Sequence, residues 1–379
     1  MDVGFWDLLF FMSVRLFLCG DVMTGRGIDQ VLPHPVDPAL HEAYLRDARD
    51  YVDLAEKANG PMERPVSFDY IWGDALHELA QSRIDLRIIN LETAITSAET
   101  SWPGKGIHYR MSPGNIGCLS AGAISGCALA NNHLLDWGYP GLCDTLRTLD
   151  AAGIAHTGAG HDAEEAMTPA VLDARDNGRV LLFSFGSITS GIPREWSATN
   201  VRPGVNLLND LSETTAAQTA ERMRQFQRPG DLLIASIHSG SNWGYHIPPE
   251  QIAFAHRLAE EGIGVVHGHS SHHVKAIEVF KGCLILYGCG DFLTDYEGIS
   301  GYEKFRGDLA LMYLVELDSQ SSQLVQARMV PMQMRRFRLE RTSAADASWL
   351  CHLLNTLGMP FGTTARLEPD NSMILQWLA

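Results

Sequence analysis

The chain has 379 residues, 45% hydrophobic and 20% charged, a globular composition long enough for one large α/β domain with a smaller appendage. Its formal charge of −16 argues against a partner gripped by its phosphate backbone, which needs a surplus of Lys and Arg, so no nucleic acid is expected. Seven cysteines occur singly, with no C-x-x-C pair; this excludes a zinc ribbon and favours a reduced, cytoplasmic chain over a disulfide framework.

The N-terminal MDVGFWDLLFFMSVRLFLCGD is apolar, but Asp2 and Asp7 stand where a signal peptide needs positive charge, and Arg15 interrupts the second half. It is too short to span a bilayer before Asp21, so no integral membrane segment is expected. Residues 1–12 read as an extension, with Met12 an alternative start.

The first strand runs from Val14 to Asp21, and Val22 to Gln30 turns into a short helix. Residues 33–69 form an insertion, Pro-rich at each end, whose charged middle (Ala39 to Ala58) predicts a solvated surface helix. A helix from Tyr70 to Arg83 feeds the strand Leu86 to Leu91. Trp102 to Pro113 is a loop and short strand; its Lys105, His108 and Arg110 serve an anion or are plain surface charge. From Cys127 a strand leads to Asn-Asn-His and then to a helix through Gly138 to Ala152. After a strand at Ile154 and a turn at Gly158-Ala159-Gly160, Ala170 to Ala174 and Val180 to Phe185 form an antiparallel pair.

Residues 189–210 lack a period and predict a long loop of the kind that often carries function. Trp196 in that loop, and Trp243, are candidate substrate contacts. A helix (Ser212 to Gln227) precedes the strand Leu232 to His238, and Gly264 to His273 reads G-V-V-H-G-H-S-S-H-H. Beyond it the period falls to two: Val274 to Phe280, Leu284 to Tyr287, Leu309 to Leu317 and Leu324 to Met334 predict antiparallel strands. A helix from Ala344 to Leu357 and an unassigned tail end the chain. The division is a domain over 13–335 and a C-terminal helix and tail, 336–379, packed on it.

Five apolar strands thus stop at clusters of ligand-type side chains, where open α/β sheets bind their ligands. Asp21, Glu92, Asn132, His238, His269 and His272 are a mixed oxygen and nitrogen set suited to Mn, Fe or Zn, or with more oxygen to Mg or Ca. Glu92 is the natural bridge between two ions. The Asn132 amide oxygen can coordinate, leaving His133 free as an acid or base. Asp136 either orients that imidazole or caps the following helix.

Six motifs carry a family resemblance: G-D-V-M-T-G-R (Gly20 to Arg26), N-L-E (Asn90 to Glu92), A-N-N-H-x-x-D-x-G (Ala130 to Gly138), H-S-G-S-N-W (His238 to Trp243), G-H-S-S-H (Gly268 to His272) and Y-G-C-G-D-F (Tyr287 to Phe292). As a set they resemble the CapA family, named for capsule and poly-γ-glutamate synthesis and placed among the calcineurin-like metallophosphoesterases. The resemblance implies an α/β fold in which a two-sheet sandwich is flanked by helices, in four layers α/β/β/α. It implies one or two divalent ions on the six ligand positions, with His133 as general acid. Arg26 and Asp291 fall in family motifs and are expected to position an anion and to orient a ligand.

Three departures bear on the site. Met23 stands where the wider phosphoesterase pattern has a histidine, Glu92 stands where it has Asp, and the usual G-H-x-H is stretched so that His272 and His273 compete for one role. One hard ion is therefore an alternative to two. Three functions follow: hydrolysis of a phosphoryl or acyl bond in a small-molecule or peptide substrate; epimerisation at a peptide Cα, by His133 with Asp136 and a second histidine such as His238 or His269 with Asp291; or a non-catalytic accessory role in capsule or polyglutamate assembly.

Overall fold

The computed structural model describes residues 13–378, so the extension expected over residues 1–12 lies outside them. The chain is a mixed α/β protein organised around two sheets. In the larger sheet β1 (Ser13–Val22), β2 (Leu86–Leu91), β3 (Gly126–Ala128) and β4 (Ala155–Thr157) run parallel, each beside the next. The second sheet begins with the antiparallel pair β5 (Ala170–Asp173) and β6 (Arg179–Gly186). Beside β6 run β7 (Leu232–His238) and then β8 (Val265–His269), both parallel to it; the hairpin of β9 (Ile277–Phe280) and β10 (Cys283–Leu286) closes that sheet, with β10 next to β8.

The late strands return to the larger sheet. Here β11 (Asp291–Leu293) pairs in parallel with Asp21 and Val22, at the end of β1 that β12 (Leu309–Asp318) leaves uncovered. Antiparallel β13 (Leu324–Arg335) and β14 (Arg338–Arg341) extend it. The tail with no assignment from sequence is a hairpin, β15 (Thr363–Leu367) and β16 (Met373–Trp377), whose second strand pairs with β13.

The alternation of side chains along β1 sorts the core. Leu16 and Leu18 point between the sheets, in one apolar cluster with Leu182, Ile234, Val265 and Leu286 of the second sheet. Phe17 and Cys19 point the other way, into a cluster with residues of α1 (Arg26–Val31), α2 (Arg49–Asn59), α3 (Asp74–Gln81) and α4 (Gly138–Ala151). Across the second sheet, Phe183, Leu233 and Val266 pack against α5 (Glu213–Arg224) and α6 (Pro249–Glu260). Ser212 caps α5 by accepting from the Thr215 N–H, and Ser343 caps the final α7 (Ala344–Gly358) from the Asp346 N–H.

The insertion differs from expectation. Only Arg49–Asn59 is helical there, and it is not a solvated element, because Tyr51, Val52 and Ala55 form a buried stripe beneath the charges. The strand expected from Val274 forms only over Ile277–Phe280. All seven cysteines are free thiols. Among the described residues no helix is long and apolar enough to cross a membrane.

Candidate metal centre

The carboxyl ends of the parallel strands deliver polar groups to one rim. Strand β1 presents Asp21, steadied by Asn90 of β2, whose Nδ2 donates to Asp21 Oδ1 at 2.7 Å. Glu92 follows β2 directly, and its Oε1 lies 3.7 Å from His238 Nε2. Past β3, the Asn131 amide donates to the Leu91 carbonyl at 2.8 Å, and its oxygen accepts from the His133 N–H at 3.1 Å. That brace aims Asn132 at the rim, where its Oδ1 is 2.8 Å from His238 Nε2. Parallel register sets His238 of β7 opposite His269 of β8, with their Nδ1 atoms 2.8 Å apart. Ser236, one pleat earlier on β7, is 2.8 Å from His269 Nε2 and fixes that ring from behind. Asp291 opens β11 opposite Asp21.

Two overlapping clusters result. Asp21, His238 and His269 bring one donor atom each within 4.8 Å of one another, and so do Asp21, Glu92 and Asp291. All five are almost wholly buried. Burial, then the neighbouring Asp291, pushes the Asp21 carboxyl up to about 7. Burial, then Asp21, pushes Glu92 well above the usual carboxylate range. Burial holds His238 and His269 well below the usual imidazole range. Among the described residues no Lys or Arg ion-pairs with these carboxyls, and Asp291 Oδ2 is buried with no hydrogen-bond partner. Buried carboxyls without a counter-charge are costly. Neutral imidazoles, carboxylate oxygens and an amide oxygen gathered in two adjoining clusters fit one or two divalent ions, which would supply that charge.

His272 stands apart from both clusters. Ser270 carries a positive φ of 102°, rare outside glycine, and the chain turns aside after His269. His272 Nδ1 meets Asp291 Oδ1 at 2.9 Å, and its Nε2 meets the Asn242 amide at 2.9 Å. Burial works against its protonation, but Asp291 outweighs that and raises its pKa. His273 lies elsewhere, accepting from the Gly244 N–H at 3.0 Å and stacked on Phe305.

His133 sits beside the clusters, its Nδ1 2.6 Å from Asp136 Oδ2 and its Nε2 3.9 Å from Glu92. Asp136 does not cap α4; the N-cap is Trp137, with no side-chain bond. It accepts instead from the Tyr109 N–H at 2.7 Å and pairs with Lys105, which also donates to the Asn132 carbonyl. Burial raises Asp136 to about 6 although Lys105 opposes it; burial and then Lys105 hold His133 well below its usual value. The Tyr109 ring stacks on the imidazole, centroids 3.7 Å apart.

The other sequence candidates have internal partners. Arg26 is buried against Asp295 (2.5 Å), Glu42 (2.8 Å) and the Tyr51 hydroxyl (2.8 Å), so its charge is matched inside the protein. His108 bonds the Trp102 carbonyl, and Arg110 donates to the carbonyls of Ala98 and Asp37. Trp196 is fully buried behind Lys105, whereas Trp243 lines a cleft of about 880 Å³ that opens from His133 and His272. Asn90 and Asn131 lie inside the quoted motifs without an assigned role, and Tyr109 and Ser236 had no local signal in the sequence.

The same geometry has sequence relatives. Residues 15–296 match the family model described as bacterial capsule synthesis protein PGA_cap. A probable polyglutamine synthesis accessory protein of Mycobacterium tuberculosis is 46% identical over 359 residues, covering 94% of each chain. Capsule biosynthesis protein CapA of Bacillus anthracis is 25% identical over 75% of this chain and 60% of its own. PGA biosynthesis protein CapA of Bacillus subtilis is 22% identical over 78% of this chain and 66% of its own. With its strand-end motifs inside the matched residues, the chain belongs to the bacterial capsule synthesis PGA_cap family.

Proposed function

We propose that this chain is a metal-dependent enzyme of metallophosphoesterase type that hydrolyses a phosphoryl or acyl bond, on a calcineurin-like sandwich of two sheets between helical layers. The observation that carries it is the meeting of Asp21, Glu92, Asn132, His238 and His269 at one rim, from separate strand ends. These residues would hold one or two divalent ions, which supply Lewis-acid polarisation of the substrate oxygen and a water of lowered pKa. The rest belongs to the chain. Asp136 fixes Nδ1 of His133, so that Nε2 faces the cleft with a free lone pair, able to take the proton released by the attacking water and pass it to the leaving group. Lys105 and the Tyr109 N–H hold Asp136 in turn, and the stacked Tyr109 ring keeps the imidazole in plane.

The relatives named for polyglutamine synthesis and capsule biosynthesis support a part in assembling such a polymer, where an accessory role without turnover is the alternative. Protein loaded with Mn, Zn, Fe or Mg and assayed on generic phosphoesters should turn them over. No turnover with any of these ions, beside a working control enzyme, would favour the accessory role.

One observation supports a second chemistry. Two histidine–carboxylate pairs, His133–Asp136 and His272–Asp291, reach the same cleft. Such a pair of acid–base groups suits removal and return of a proton at a peptide Cα, with His272 in the place that the sequence offered to His238 or His269. Deuterium uptake at Cα of a candidate peptide in heavy water tests it; absence of exchange removes it.

A further inference from the structure

The cleft has a wall that neither chemistry uses. Trp243 and Tyr302 lie flat on each other, ring centroids 4.0 Å and planes 4° apart. Tyr302 is nevertheless 48% exposed, and Ile299 (47%) and Tyr44 (66%) stand open on the same cleft. Large apolar side chains gathered this openly in one concave surface mark a place where a ligand covers them.

The charges of the cleft narrow the ligand. Arg26 is matched by Glu42 and Asp295, Lys105 by Asp136, and Arg306 by Asp308 and Asp346. Arg335 donates to Asn59 and lies in the field of Glu297. Glu297 and Glu303 add negative charge to the lining, within a chain of formal charge −16. A polyanion entering here would meet these carboxyls, and three of the cations facing it, Arg26, Lys105 and Arg306, are already held by carboxylates. A flat uncharged ring would meet an aromatic platform of matching shape.

We propose that this wall binds an uncharged, ring-bearing part of the substrate, its flat face stacked on the Tyr302–Trp243 pair, while the reacting group extends to the metal centre. Only the position of the reacting group rests on the hydrolytic function proposed above; stacking of the ring needs no turnover.

Calorimetric titration of the metal-loaded full chain tests the proposal with four probes: phenol, methyl β-glucopyranoside, phenyl β-glucopyranoside and a γ-linked glutamate pentamer. The first two separate an aryl ring from a sugar ring as the source of the flat face. At least one neutral probe should bind with an affinity indifferent to salt, about tenfold weaker in Trp243→Ala and Tyr302→Ala and restored in Tyr302→Phe. The pentamer should give no heat at the same concentrations. Tighter binding of the pentamer, no binding of any neutral probe, or equal binding by the alanine variants would each overturn the proposal. Ring binding without phosphoester turnover would instead count against hydrolysis alone.

Discussion

The two ring nitrogens of His133 face different chemistry. Nδ1 is engaged by Asp136 at 2.6 Å, while Nε2 is 3.9 Å from Glu92 and outside the two donor clusters. His133→Ala should therefore lower kcat about 10²–10⁴-fold, the usual worth of a positioned acid or base, while the metal content stays that of the wild type. Metal analysis of the variant beside its kinetics checks this; loss of the ion with the histidine would make it a ligand. At this scale Asp21, Glu92, His238 and His269 were legible because each directly follows or ends an apolar strand, so spacing alone places them. Lys105 and Tyr109 were not: they reach Asp136 from 31 and 27 residues away, through a loop with no period of its own. His272 and His273 were indistinguishable in sequence. The turn at Ser270 separates them, leaving His272 to Asp291 and His273 to the Trp243–Phe305 wall.

The elements that position these side chains depend on one close approach of backbone. The Asp21 N–H donates to the Gly290 carbonyl at 2.9 Å, and this contact sets β1 against β11 with Asp21 beside Asp291. A Cβ on Gly20 would fall 1.7 Å from the Gly290 carbonyl oxygen, with backbone that has nowhere to go. Gly20→Ala should cost about 3 kcal/mol, the upper part of the range for overpacking, and should weaken metal binding as the two carboxyls separate. Urea unfolding with a metal titration measures both; a variant as stable and as tight as the wild type would show that the strands are free to part. The parallel strands could be read from sequence because buried runs of Val, Ile and Leu stop abruptly at polar clusters. The insertion helix was misread because its charges hide a stripe of only three buried residues, Tyr51, Val52 and Ala55. The terminal hairpin was missed because its strands are five residues each, and β16 pairs with a strand more than forty positions earlier, Ile374 with Arg328.

Across the whole molecule, three apolar clusters hold two sheets and their helices so that the sheets open towards one rim. That rim gathers buried carboxyls in a chain that is already strongly acidic, an arrangement that a bound cation would relieve. The class of fold and the family follow from strand-end motifs spread along the chain. Substrate chemistry does not, because the cleft is assembled from the insertion, the Lys105 loop and the segment around Tyr302, which touch only in three dimensions. The most direct measurement is elemental analysis of the purified chain, wild type beside Glu92→Ala and His238→Ala, each shown to be folded. The wild type should carry at least one divalent ion per chain and the variants markedly less. A wild type that holds none even after loading with Mn, Zn, Fe, Mg or Ca, or variants that hold as much as it does, would contradict the metal centre.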